Sequence, residues 1–275
     1  MGFRALIAGL TLALSLPAAA QWPAFEAKHS PRKSDGSVDL DAPAPRTADG
    51  HPDLAGLWER FGPGGQNPNF DALQSPDGGP PAATFWNIGA GIRGGLPYSP
   101  LAGMLRDERM ADNQKNNPDA LCLPMGLTQL HLHPQPRKIV QTPNLIVIMY
   151  EGNEGLRQIF MDGRPLPALD ENLQPWWYGY SIGRWEGDEL VVETVGFRDD
   201  VWLDVQGSPL TSRAKMTERF RRPKFDTLQI DITIDDPTAY TKPFTVRVNQ
   251  RLFPDAELIE FICNENEKSS RYYDP

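Results

Sequence analysis

From residue 137 to residue 263 the chain reads as one β-hairpin after another, and RWEGDELVVET at 184–194 shows the unit most plainly. An alternating apolar stretch meets a Glu186-Gly187-Asp188 turn and is followed at once by a second stretch, the way an antiparallel pair is written in sequence. The spacing predicts strands at about 54–60, 137–142, 145–151, 156–161, 178–185, 189–195, 213–221, 225–234, 244–252 and 257–263. Turn residues punctuate the joins at Pro143-Asn144, Asp162-Gly163, Pro223-Lys224 and Pro254-Asp255. About ten consecutive strands are enough to close an all-β, antiparallel up-and-down barrel of the lipocalin-like kind, with room inside for a ligand.

The remainder of the chain frames that barrel. Arg4, the apolar run Ala5 to Leu16 and Pro17-Ala18-Ala19-Ala20 form a secretory signal peptide pattern with cleavage expected after Ala20, so a periplasmic or secreted product is expected. Residues 21–50, rich in Pro, Ala, Ser and Asp, read as an extended leader to a single domain over 51–275. Within that domain, 61–98 is a long loop crowded with Gly and Pro. Ser99 and Pro100 then suit the cap and first position of one flanking helix reaching to about Asn116. No later segment holds the roughly 18 to 20 consecutive apolar residues of a spanning helix. The formal charge of −9 argues against nucleic acid as a partner, because phosphate contacts need clustered Lys and Arg. Two cysteines, Cys122 and Cys263, are present, and an oxidising compartment would let them pair; two buried free thiols are the alternative.

The period of two sorts side chains by face. On 213–221, Glu218 falls with Ala214, Met216 and Phe220; Glu193 falls with Val191 and Val195, and Glu260 with Leu258 and Ile262. A carboxylate among apolar neighbours costs several kcal/mol unless it is paired or neutralised. Arg157 and Arg184 are the candidate partners, either in a polar patch of a cavity or in internal ion pairs. His131 and His133, two apart, share a side if that segment is extended, but Pro134 and the scarcity of further ligands favour rim histidines over a metal site, and no cofactor is indicated. Trp176, Trp177, Tyr178 and Tyr180 bunch before a strand, as a stacking lip for a flat ligand or as a plug in a barrel end.

Two short patterns carry no function. Gly179-Tyr180-Ser181-Ile182-Gly183 fits G-x-S-x-G, yet a hairpin follows it rather than a helix, and no histidine comes after His133. Gly89-Ala90-Gly91-Ile92-Arg93-Gly94 fits G-x-G-x-x-G, but Gly95-Leu96-Pro97 stops a helix from starting.

Taken in order, PDLAGLW (52–58), NPDALCLPMG (117–126), KIVQTP (138–143), DGRPLP (162–167), GYSIGRWEGDELVVET (179–194), WLD (202–204), TERFRR (217–222), DDPTAYTKPF (235–244) and CNENEK (263–268) resemble a widespread family of exported bacterial proteins of uncharacterised function. The G-x-W of Gly56-Leu57-Trp58 at the first strand is similar to that of lipocalin-like barrels. The resemblance implies an exported barrel, not a reaction. Where members of that family carry Gly-x-Pro-His-Ser before the TERF block, this chain has Gly207-Ser208-Pro209-Leu210-Thr211.

Two functional readings follow. In the first, the barrel holds a small, partly apolar or aromatic ligand, contacted by Trp176, Trp177, Tyr178, Glu193, Glu260, Arg157, His131 and His133. In the second it is a cofactor-independent acid/base enzyme acting as a lyase, isomerase or hydrolase, with Glu218 as acid or base, Arg184 as electrostatic stabiliser and Tyr180 as hydrogen-bond donor. Oligomeric state is not readable from the sequence.

Overall fold

The structure is a computed structural model that describes residues 30–170 and 173–265, so the signal-peptide segment lies outside the described residues. Nine strands close a barrel in sequence order: β1 (Gly56–Phe61), β2 (Arg137–Gln141), β3 (Leu145–Tyr150), β4 (Leu156–Phe160), β5 (Tyr180–Glu186), β6 (Glu189–Val195), β7 (Lys215–Lys224), β8 (Thr227–Asp235) and β9 (Phe244–Leu252). The expected tenth strand at 257–263 does not form; that stretch is irregular and exposes Ile259 and Ile262.

Nine is an odd number, and this decides the topology. A ring of strands whose directions alternate all the way round must be even, so one neighbouring pair here has to run the same way. That pair is β4 and β5, which corrects the purely up-and-down expectation at one seam. A parallel pair needs a crossover rather than a tight turn, and the crossover is residues 161–179, the segment that carries the aromatic cluster. Its ladder is short: only Ile159↔Ser181 and Phe160↔Ile182 are in register. Every other junction is antiparallel, and the β5–β6 hairpin runs in register from Tyr180↔Val195 to Glu186↔Glu189, with Gly187 taking the positive φ its turn requires.

The β9–β1 closure is also partial. β1 reaches only as far as Phe61↔Asn249, and the long Gly/Pro-rich loop supplies what is missing. Arg247 N–H donates to Pro81 C=O at 2.8 Å and Ala83 N–H to Arg247 C=O at 2.8 Å, so 81–83 lies beside β9 as a fragment of parallel strand.

The barrel centre is packed with side chains. Ile139, Ile146, Ile148, Ile159, Leu190, Val192, Phe220, Ile230 and Val248 belong to one buried cluster. A short helix, α2 (Leu127–Leu132), contributes Leu127, Leu130 and Leu132 to that cluster, and all six of its residues are buried. The flanking helix, α1 (Pro100–Ala111), starts as expected, with Ser99 Oγ accepting from Ala102 N–H at 3.3 Å and Pro100 opening the first turn, but stops short of Asn116. It buries Ala102 alone, leaving Leu101 and Met104 on its outer side.

The leader residues from 30 onward lie against the barrel. Arg46 is bidentate to Asp188 at 2.7 and 2.8 Å, His51 stacks on Trp185, and Phe225 N–H donates to Ala42 C=O. A disulfide joins Cys122 to Cys263, 141 residues apart. Among the described residues no helix is long and apolar enough to cross a membrane.

Candidate functional site

Glu218, in β7, points into the barrel and is completely buried. It is bonded from two other elements, and residues from three more surround those partners. Arg157 of β4 grips both carboxylate oxygens, with Nη1 donating to Oε1 at 3.0 Å and Nη2 to Oε2. His131 of α2 meets Oε1 at 3.0 Å through Nε2. An ionised carboxylate only accepts, so Nε2 carries the proton, and Nδ1 is left without a partner. The rest of the Arg157 fork is held by hydroxyls: Nε and Nη2 donate to Ser181 Oγ of β5 at 3.2 and 3.1 Å, and Nη2 donates to Thr194 Oγ1 of β6 at 3.0 Å. Tyr150 of β3 stands edge-on to His131; its hydroxyl interacts electrostatically with Arg157 without reaching hydrogen-bond geometry.

Electrostatics fixes the protonation states. Burial pushes the Glu218 carboxyl up, but the adjoining guanidinium and imidazole outweigh it and hold the group down at about 2. Burial lowers His131, reinforced by Arg157 and Arg137, against the pull of Glu218. His133, packed edge-on against Phe85, is pushed down to about 4, chiefly by burial and then by Arg137. Among the described residues Arg137 pairs with no carboxylate; it donates to the carbonyls of His131, His133 and Gln135 at the end of α2, where a cation offsets the helix dipole. Glu218 is therefore ionised near neutral pH and locked into a fork, a poor donor or acceptor of protons there.

The opening in the wall lies on the other side of Arg157. Ahead of their two paired registers β4 and β5 separate, because the incoming chain pairs elsewhere: Trp176 N–H donates to Gly196 C=O at 2.9 Å and Arg198 N–H to Trp176 C=O at 3.1 Å. Gly179 makes the turn at φ +64°, and a Cβ there would sit 2.5 Å from Thr194 Cγ2, so a side chain has no room. The gap is a pocket of about 350 Å³. Phe160, Trp176, Trp177, Tyr178 and Tyr180 form its walls, and Arg157 and Ser181 its inner side. Tyr180 stacks on Phe160 with ring centroids 5.2 Å apart and meets Trp176 at 5.6 Å. Arg164 lies over the Phe160 ring at 3.9 Å and donates to the Tyr180 hydroxyl at 3.1 Å. The Tyr178 hydroxyl, raised to about 12 by burial, has no hydrogen-bond partner among the described residues. On the far side of Trp177 a wider groove of about 800 Å³ runs along α1 toward Trp202.

The structure thus brings Trp176, Trp177, Tyr178, Tyr180 and Arg157 to one pocket, and sets Glu218 and His131 directly behind Arg157. The other expected residues lie elsewhere. Arg184 faces outward and pairs with Glu193 at 2.7 Å and Glu186 at 2.9 Å, so it stabilises nothing at Glu218. Glu193 is on the outer face too, bound by Lys215 and Arg184. β6 is apolar on both faces, with Val191 and Val195 buried beneath surrounding chain, so alternation could not tell inside from out. Glu260 is exposed on the irregular tail. His131 and His133 do not share an extended side: the first belongs to α2 and the second ends it. Among the described residues no group of three or more His, Cys, Asp or Glu side chains could hold a metal ion.

Ser181 and Thr194 were missed as members of the site. Part of the signal was present: alternation puts Thr194 on the same face as Leu190 and Val192, whereas Ser181 shares its face with Gly179 and Gly183, which give no apolar cue. Ser181, the serine of the G-x-S-x-G pattern, hydrogen-bonds an arginine and a threonine and among the described residues touches no general base. Comparison with protein-family models, curated proteins and solved structures gives no match. Local geometry therefore carries the functional argument.

Proposed function

We propose that this is an exported β-barrel that binds a small, partly apolar or aromatic molecule, and that the ligand sits in the seam between β4 and β5 rather than in the barrel centre. One observation carries the reading: at the point where an odd strand count leaves the wall open, five aromatic rings surround a pocket of about 350 Å³. A pocket walled by rings with a few fixed polar groups is the usual construction of a small-molecule site. Tyr178 brings an unengaged hydroxyl to orient a ligand. Arg157 is the lining residue with a formal charge, and Glu218 anchors it.

The acid/base alternative lacks a comparable observation, because Glu218 is ionised and enclosed while Arg184 and Tyr180 sit apart from it. The binding reading is tested with N-phenyl-1-naphthylamine, an uncharged aromatic probe that brightens on leaving water. The wild-type protein should bind it in the micromolar range, and Trp176→Ala with Tyr180→Ala should weaken binding about 10-fold or more. Equal affinity for wild type and double variant would remove the seam from consideration.

A further inference from the structure

The seam pocket is lined by backbone as well as by rings. The ladder of β4 with β3 is fixed in phase by two bonds, Tyr150 N–H to Gly155 C=O at 2.7 Å and Met161 N–H to Asn144 C=O at 2.9 Å. Backbone groups in an antiparallel pair alternate in direction. Gly155, Arg157, Ile159 and Met161 therefore bond toward β3, while Leu156, Gln158 and Phe160 present their amides to the seam. Phe160 and the Gln158 carbonyl are used by the two registers with β5. Among the described residues the Gln158 N–H and both backbone groups of Leu156 have no backbone partner, and both residues line the pocket.

In a continued parallel ladder Gly179 would fill these positions, its N–H donating to Leu156 C=O and its C=O accepting from Gln158 N–H. It does neither, since its N–H turns back to Trp176 C=O at 3.4 Å. The opposite seam shows what completion looks like, where the main chain of 81–83 straddles Arg247 with one bond on each side.

We propose that the open half of the β4–β5 seam recognises a secondary amide held in extended form, the chemistry of a short peptide or an N-acyl amino acid amide with an apolar or aromatic side group. Its N–H donates to Leu156 C=O, its following carbonyl accepts from Gln158 N–H, and its side group stacks among Trp176, Tyr178 and Tyr180. This is strand addition confined to one residue. It rests on the seam pocket being the ligand site and adds to that reading the ligand's polar pattern.

The test compares N-acetyl-L-phenylalaninamide with the ester made by replacing its phenylalanine N–H by oxygen, titrated into the full chain and followed by amide NMR. The amide should shift the Leu156 and Gln158 signals, and the ester should bind roughly 5- to 10-fold more weakly, the effect of one lost hydrogen bond. Equal affinity of amide and ester overturns the inference. If neither binds while N-phenyl-1-naphthylamine still does, the inference falls and the pocket stands; if all three fail to bind, both fall. Because the change is made in the ligand, folding of a variant does not enter the result.

Discussion

Two stretches of the barrel wall are short of hydrogen bonds, and the chain treats them in opposite ways. At the β9–β1 seam, Arg247 would be unpaired beyond the end of β1, and the long loop brings Pro81 and Ala83 to both its backbone groups. At the β4–β5 seam, both backbone groups of Leu156 and the N–H of Gln158 lie beyond the ladder, and among the described residues the crossover brings them aromatic rings and no backbone partner. The first gap is sealed with main chain; the second is walled with rings and left open. An unsealed edge is a hazard that proteins normally cover, so its retention beside a built pocket points to an occupant.

The largest effect is expected directly behind the open seam. Arg157→Leu leaves Glu218 in the core without a counter-charge, held by the His131 N–H alone, and should cost about 3 to 5 kcal/mol in urea denaturation. A cost below about 1 kcal/mol would mean that the fork contributes nothing to holding that side of the wall. Next, the Cys122→Ser, Cys263→Ser double variant should lose about 2 to 4 kcal/mol, since the bond closes a loop of 141 residues. The disulfide tethers the segment beside Leu121 and Leu123, which borders the groove next to the seam pocket. Aromatic probe binding should therefore weaken in that variant together with stability.

Acid should destabilise the fold in two stages. His133 has a folded value near 4, below its ordinary 6.5, so its contribution is present above pH 6.5 and is lost as pH falls toward 4. Glu218, near 2 in the fold against an ordinary 4.5, contributes stability above pH 4.5 that is lost as pH falls toward 2, up to about 3 kcal/mol. Urea midpoints measured from pH 7 to pH 3 should decline throughout; a midpoint constant down to pH 4 would contradict the assigned neutral histidine. Smallest is a pair of proline substitutions that compares the seams directly. Ala83→Pro deletes a donor that Arg247 uses and should cost roughly 1 to 3 kcal/mol. Gln158→Pro deletes an N–H that bonds nothing among the described residues, at an edge position where proline is tolerated, and should cost less than about 1 kcal/mol.

Much of the barrel was legible because strand pairing between sequence neighbours is local information. Nine of the strands stand within a few residues of where alternation puts them, and Ser99-Pro100 starts the helix it signals. What alternation could not supply was the strand count. Reading 257–263 as a strand made the ring even, and an even ring needs no parallel seam, so nothing pointed to the pocket. α2 was lost for a different reason: six residues with no side-chain cap and buried on every side have no amphipathic period to read. Glu218 was found because β7 alternates cleanly from buried to partly exposed, whereas Glu193 was misplaced because β6 does not. Its partner was a choice between Arg157 and Arg184 that only the closing of the barrel could make, since Arg157 and Glu218 are 61 residues apart.

The open seam itself is tested most directly by amide hydrogen exchange read residue by residue in the protein without ligand. Gln158 N–H should exchange within the range of exposed loops although it lies in the barrel wall, while Arg157 and Arg247 N–H, bonded to β3 and to Pro81, should be protected by several orders of magnitude. Protection of Gln158 equal to that of Arg157 would mean that the wall is closed there and that no ligand is needed to complete it.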